Sequence, residues 1–179
     1  MKIYILLFTI LFAISCKTNN KTPDTTDTNN TTKDMVVSMD DCPEGAECTI
    51  AIKNNASMTI NEDSIGMKYP TIEDGDNMVV HFTYAKKGPE GTADGDYSET
   101  IHFEVPANTS KLSLMDADLQ NVGLLFGKHC FCKGEAGYYK VTKGSLVVVK
   151  TEKELTFDIS YTIDETSQKM NRISKTIEL

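Results

Sequence analysis

Four cysteines in two tight groups carry the most evident chemistry of this chain: Cys42-Pro-Glu-Gly-Ala-Glu-Cys48 and His129-Cys130-Phe131-Cys132. Pro43 and Gly45 favour a turn, so a small closed loop between Cys42 and Cys48 is geometrically easy. The second group is harder. In an extended strand, residues i and i+2 face the same way with Cα atoms roughly 6.5–7 Å apart, at or beyond disulfide reach. A Cys130–Cys132 bond therefore requires a bend or a bulge. Two pairings stay open: both bonds local, or two long-range bonds joining the N-terminal loop to Cys130 and Cys132. Chain entropy gives about 2.4 kcal/mol for closing a loop of about seven residues and about 4.6 for one of about 90, which tilts the expectation slightly to the long-range pairing. A Cys₄ zinc cage is disfavoured, because neither group has the C-x₂₋₄-C knuckle. An exposed C-x-C is a candidate redox pair, although no C-x-x-C stands at a helix start to lower a thiol pKa.

The histidines form the second constellation. Met78, Val80, Phe82 and Tyr84 share one face of Asn77–Lys86, and Tyr97, Ile101, Phe103 and Val105 share one face of Tyr97–Val105. Both segments alternate as half-buried strands do. Pairing them with Lys86 opposite Tyr97 sets Ile101 against Phe82 and Phe103 against Val80. The same register sets His102 directly across from His81 on the opposite face. Directly opposed side chains have Cβ atoms roughly 4.5–5.5 Å apart, close enough to share a copper or zinc ion or a proton. A two-histidine site lacks the third ligand of most such metal centres. The plain alternative places both on a solvated face among Thr83, Thr100 and Glu104.

Other chemistries find little support. Asp74/Asp76, Asp94/Asp96 and Asp116/Asp118 offer oxygens to calcium, but none continues into a twelve-residue calcium loop. There is no G-x-S-x-G elbow, P-loop or H-E-x-x-H. No catalytic residue and no cofactor is assigned, and the chain reads as non-enzymatic.

The elements that must position these groups are strands. Leu155, Phe157, Ile159, Tyr161 and Ile163 give the cleanest alternation, against Glu154, Thr156, Asp158, Ser160 and Thr162. Weaker candidates are Val36–Met39, Cys48–Lys53, Met58–Asn61, Lys128–Cys132, Tyr138–Val141, Leu146–Lys150 and Arg172–Leu179. Turn residues separate them at Asp74–Asn77, Gly88-Pro89, Asp94–Asp96 and Gly134–Gly137. Asp116 to Gly123 suits one short helix capped by Asp116. Many short strands and at most one helix predict a mainly β protein, a single antiparallel β-sandwich over residues 35–179, with a small closed barrel as the alternative. The chain has no Trp, so the Gly-x-Trp signature of lipocalin-like carriers is missing. Tyr138-Tyr139, the only adjacent aromatic pair, is the candidate binding patch for a protein or a glycan.

The N-terminus bears on location. Met1-Lys2 precedes an apolar run from Ile3 to Ile14, too short to span a bilayer as a helix, which needs about 20 residues. Ala13-Ile14-Ser15-Cys16 resembles the lipobox of bacterial lipoproteins. The resemblance implies that residues 1–15 are a signal peptide and that Cys16 is the lipidated first residue of the mature chain. Several acyl chains on one cysteine anchor stably, at about 0.8 kcal/mol per buried methylene. Four cysteines then remain, an even number suited to disulfide staples in an oxidising compartment. Lys17 to Asp34 holds seven Thr, four Asn and no large apolar residue, the composition of a disordered tether that spans roughly 20–25 Å. Within it, Asp24-Thr25-Thr26 resembles a bacterial O-glycosylation signal. The plan of leader, tether and single domain resembles small envelope lipoproteins of Gram-negative bacteria. Lys17 after the lipidated cysteine resembles lipoproteins sorted to the outer membrane, with the periplasmic face expected.

Cleavage would leave 17 basic residues (18 less Lys2) against 26 acidic ones, a formal charge of −9 instead of −8. Such a surface repels nucleic acid, so the membrane, through the lipid, and a protein or glycan of the envelope are the expected partners. The expected role is a lipid-anchored binding or scaffolding module. The alternatives are a metal-handling protein built on His81 and His102, or a small-molecule carrier barrel, which needs an enclosed apolar cavity.

Overall fold

The computed structural model describes residues 34–92 and 94–179. The expected signal peptide, Cys16 and nearly all of the expected tether lie outside the described residues. Ten strands follow in order: β1 (Met35–Ser38), β2 (Glu47–Glu62), β3 (Lys68–Lys86), β4 (Tyr97–Val105), β5 (Lys111–Met115), β6 (Leu125–His129), β7 (Gly137–Lys140), β8 (Gly144–Lys150), β9 (Glu154–Tyr161) and β10 (Arg172–Glu178). One 3₁₀ helix, Asp116–Val122, joins β5 to β6.

The strands form two antiparallel sheets: six in the order β1-β2-β3-β4-β6-β7 and four in the order β10-β9-β8-β5. Each sheet ends in edge strands, so the architecture is a sandwich and not a closed barrel. Alternation decides which residues meet between the sheets. On β9 every second residue from Leu155 to Tyr161 is buried, because successive side chains point to opposite faces. Ile50, Ile52, Val80, Phe82, Ile101 and Phe126 of the large sheet share one core with Leu146, Val148, Leu155, Ile159 and Ile173 of the small one. Phe103 and Phe157 join the layers edge to face, with centroids 5.5 Å apart.

Asp74-Gly75-Asp76-Asn77, read from sequence as a turn, lies inside the 19 residues of β3. It forms one side of a bulge in which Ala56 faces both Asn77 and Asp74. A bulge demands the same small, permissive residues as a turn. Asn55 takes a left-handed φ of 50°, and a Cβ on Gly75 would stand 2.2 Å from Ser57 Oγ. Beyond the bulge the hairpin arm bends over the outer face of its own sheet. There the Met58 N–H donates to Glu104 at 3.0 Å, Met58 and Ile60 pack on Gly123, and the Met67 methyl lies against Gly137.

Two expectations shift and one strand was not expected. Strand β6 covers Leu125–His129 and stops before the cysteines, where Lys128–Cys132 had been the candidate. Strand β5 carries only Leu112 and Leu114 as inward apolar residues, a signal too short to register. Asp116 does not cap the helix. Met115 holds that position in an extended conformation, and the Asp116 carboxylate instead accepts the Gly144 N–H at 3.0 Å.

Candidate functional site

The register that opposes His81 to His102 is the one observed, from Met78↔Val105 to Lys86↔Tyr97. Their rings stack on the outer face of the large sheet with centroids 4.1 Å apart and planes 13° from parallel. Next along is Tyr138, whose ring crosses Gly127. A Cβ there would stand 2.7 Å from that ring and 2.4 Å from Thr100 Oγ1, so only glycine admits the tyrosine. Tyr138 meets His102 edge-on at 6.2 Å and His129 at 5.2 Å. All three histidines of the chain thus join one row of four rings.

Burial sets the charge of this row. His102 is only 4% exposed, and desolvation, with His81 and His129 adding to it, pushes its pKa down to about 3. Desolvation also lowers His81, with His129 contributing, and lowers His129. The row is therefore neutral at pH 7. His102 Nδ1 and Thr100 Oγ1 are buried without a hydrogen-bond partner, while His81 Nε2 lies 3.2 Å from Thr83 Oγ1.

The stack bears on the metal reading of His81 and His102. Imidazole lone pairs lie in the ring plane, so near-parallel rings aim them side by side instead of at one point. An ion between the rings would stand well out of both planes, against the in-plane bonds of roughly 2.0–2.1 Å that zinc makes. His129 is no third ligand for them. Its ring lies beyond Tyr138, 5.2 Å from that ring, with the tyrosine between it and His102. Among the described residues no cluster of three His, Cys, Asp or Glu side chains has the spacing to hold a metal.

The cysteines pair locally, as Cys42–Cys48 and Cys130–Cys132, with Cα separations of 5.5 and 5.2 Å. This corrects the slight expectation of long-range bonds. The reason is the early end of β6: the chain bends at Cys130 and Phe131, which shortens the i to i+2 span below that of a strand. Both loops lie at one pole of the sandwich. Between them and the β3–β4 turn opens a groove of about 700 Å³, lined by Ala46, Glu47, Lys86, Tyr97, His129 and Cys130 among others. Phe131 projects from the Cys130–Cys132 loop and is 87% exposed. The β3–β4 turn is pinned by Asp96, whose carboxylate accepts the Gly88 N–H at 3.0 Å and Lys87 Nζ at 3.1 Å. Those bonds hold the Asp96 carboxyl below its usual range.

Tyr138 and Tyr139 point to opposite faces and make no joint patch. Tyr138 belongs to the ring row. Tyr139 turns inward to Phe126 at 6.3 Å, and its hydroxyl donates to the Glu135 carbonyl at 2.9 Å. Of the expected acidic pairs, Asp74 and Asp76 lie in the bulge, and the Asp96 and Asp116 carboxylates accept the Gly88 and Gly144 N–H groups.

Sequence reading passed over a buried polar pair on the inner face. Glu99 and Lys128 are opposed across β4 and β6 and are 1% and 2% exposed. Glu99 accepts the Tyr97 hydroxyl and the backbone N–H groups of Lys169 and Met170. Lys128 Nζ donates to Glu135, to Ser167 Oγ at 2.7 Å and to Thr166 Oγ1 at 3.2 Å. Glu135 is thereby held at a pKa of about 2, first by its hydrogen bonds from Lys128 and Ser167. Buried charges need such partners, and here they clamp the loop between β9 and β10 onto the large sheet. The signal was a charged residue at an inward position of an otherwise apolar face.

No family model, no curated protein and no solved structure matches the chain.

Proposed function

We propose that this chain is a lipid-anchored cell-envelope protein whose sandwich is a binding module, docking a polypeptide partner at the disulfide-tied pole. The observation that carries the reading is Phe131: a large apolar side chain held 87% exposed on a loop that a disulfide closes. Free apolar side chains in mobile loops lose entropy on docking, whereas one fixed in place loses less. Burying a phenylalanine side chain is worth about 1.5–3 kcal/mol. An apolar socket on the partner, rimmed by polar groups facing Glu47, Lys86 and Asp96, fits this surface.

Chain direction supports the reading. Asp34, where the tether would join, accepts the Asn54 N–H at 3.2 Å. Glu47, on the groove, lies seven residues earlier on the same strand, about 23 Å away. The groove therefore lies toward the end of the domain far from Asp34, where a lipidated Cys16 would tether it, and the proposed location is the periplasmic face of the outer membrane. Metabolic acyl labelling that vanishes in Cys16→Ala would support the anchor, and labelling that persists would remove it. For the pole, Phe131→Ser is expected to weaken a polypeptide partner at least tenfold, and unchanged affinity would overturn the docking surface.

A further inference from the structure

We propose that the Cys130–Cys132 pair is a thiol–disulfide exchange site, and that its substrate is a polypeptide cysteine thiol brought to the groove. The inference rests on the docking reading for the groove and goes beyond it in giving the pole a chemistry.

Three observations point there. The two disulfides do different structural work. Cys42–Cys48 closes six residues of sequence separation and joins the loop after β1 to the start of β2. Cys130–Cys132 spans a separation of two, within one bend, and ties no two elements together. Secondly, its position suits attack. Both cysteines are half-buried beside the exposed Phe131, and Cys130 lines the groove together with Lys86, Lys87 and His129. Thirdly, the wall of the groove holds the groups that exchange needs. His129, neutral because of its burial, can take the proton of an incoming thiol, and Lys86 on the same wall favours a departing thiolate, Lys87 being paired with Asp96.

The exchange balances without an added oxidant. A substrate thiolate attacks one sulfur of the pair, and a substrate–protein S–S bond forms as the Cys130–Cys132 bond breaks. The displaced sulfur leaves with the electron pair as a thiolate and takes up a proton. A second substrate thiolate attacks the substrate sulfur of the mixed disulfide and releases the other cysteine. Two substrate thiols become one disulfide, and the protein gains two electrons and two protons.

The test uses reduced glutathione as the thiol, on the purified full-length protein, with alkylation and mass spectrometry as the readout. Cys130–Cys132 is expected to open at least tenfold faster than Cys42–Cys48, with an unchanged far-UV dichroism spectrum. In Cys132→Ser, oxidised glutathione is expected to form a mixed disulfide with Cys130. Equal rates for the two bonds, loss of the fold on opening, or no adduct in that variant would each overturn the site. Glutathione needs no socket for Phe131, so Phe131→Ser should leave the exchange rate unchanged even where it abolishes docking. Failure of exchange and failure of docking are thus read separately.

Discussion

His81 and His102 face each other across β3 and β4 as a parallel stack, ring centroids 4.1 Å apart. Two imidazoles at that distance cannot both carry charge at small cost, and Tyr138 closes the far side of His102. The stack is thus a store of neutral histidine in the outer layer of the sandwich.

That store predicts an acid-sensitive fold. A folded-state pKa below the ordinary 6.5 means that the unfolded chain binds more protons in the interval. Stability is full above pH 6.5 and falls as pH drops toward the folded value, about 3 for His102. The loss is at most about 1.4 kcal/mol per pH unit for each histidine. Urea unfolding at pH 7.5 and pH 5.0 should show it. The acidic groups held below their usual range, Glu135, Asp96 and Asp158, contribute only below their ordinary values of 4.5, 3.8 and 3.8. His102→Gln should flatten the slope between pH 7.5 and 5.0, and an unchanged slope would remove the stack as its origin.

Gly127→Ala should cost about 1–3 kcal/mol, the usual range for overpacking, because its Cβ would meet both Thr100 Oγ1 and the Tyr138 ring. Thermal unfolding checks the cost. A stability equal to that of the parent would mean that the tyrosine does not lie across this glycine.

Glu99→Leu should cost about 1–3 kcal/mol, since it leaves the part-buried N–H groups of Lys169 and Met170 without their acceptor. Glu99→Gln keeps an acceptor oxygen and should cost less. Hydrogen exchange at Lys169 and Met170 would register the difference, and equal protection in both variants would contradict the clamp.

Removing Cys42–Cys48 by double serine substitution should cost about 2.4 kcal/mol, and removing Cys130–Cys132 less than 2, because the closed loops are so short. Chemical denaturation of the two variants decides this. A larger loss from the second pair would mean that it is a structural staple.

What was legible in the sequence was whatever alternation alone controls. The face shared by Val80, Phe82, Ile101 and Phe103 admits few registers, and the register that matches the apolar faces also opposes His81 to His102. Where one residue type serves two geometries, reading failed. Asp74-Gly75-Asp76-Asn77 suits a turn and a bulge equally, and only the partner strand, through Ala56, chooses between them. The disulfide pairing was hidden because it depends on where β6 stops, and His129 carries no stop signal of its own. The ring row needs Tyr138 from another strand and a bare Gly127 beneath it, a coincidence that no window along the chain displays. Glu99 was visible as an exception to its face, but its partners lie 70 and 71 residues away.

Whether the pole docks a polypeptide is decided by in-cell photocross-linking. A photoreactive phenylalanine at position 131 should give one discrete polypeptide adduct. The same group at Ser174, exposed on the outer face of β10, should give none. The same adduct from both positions, or from neither, would contradict the account.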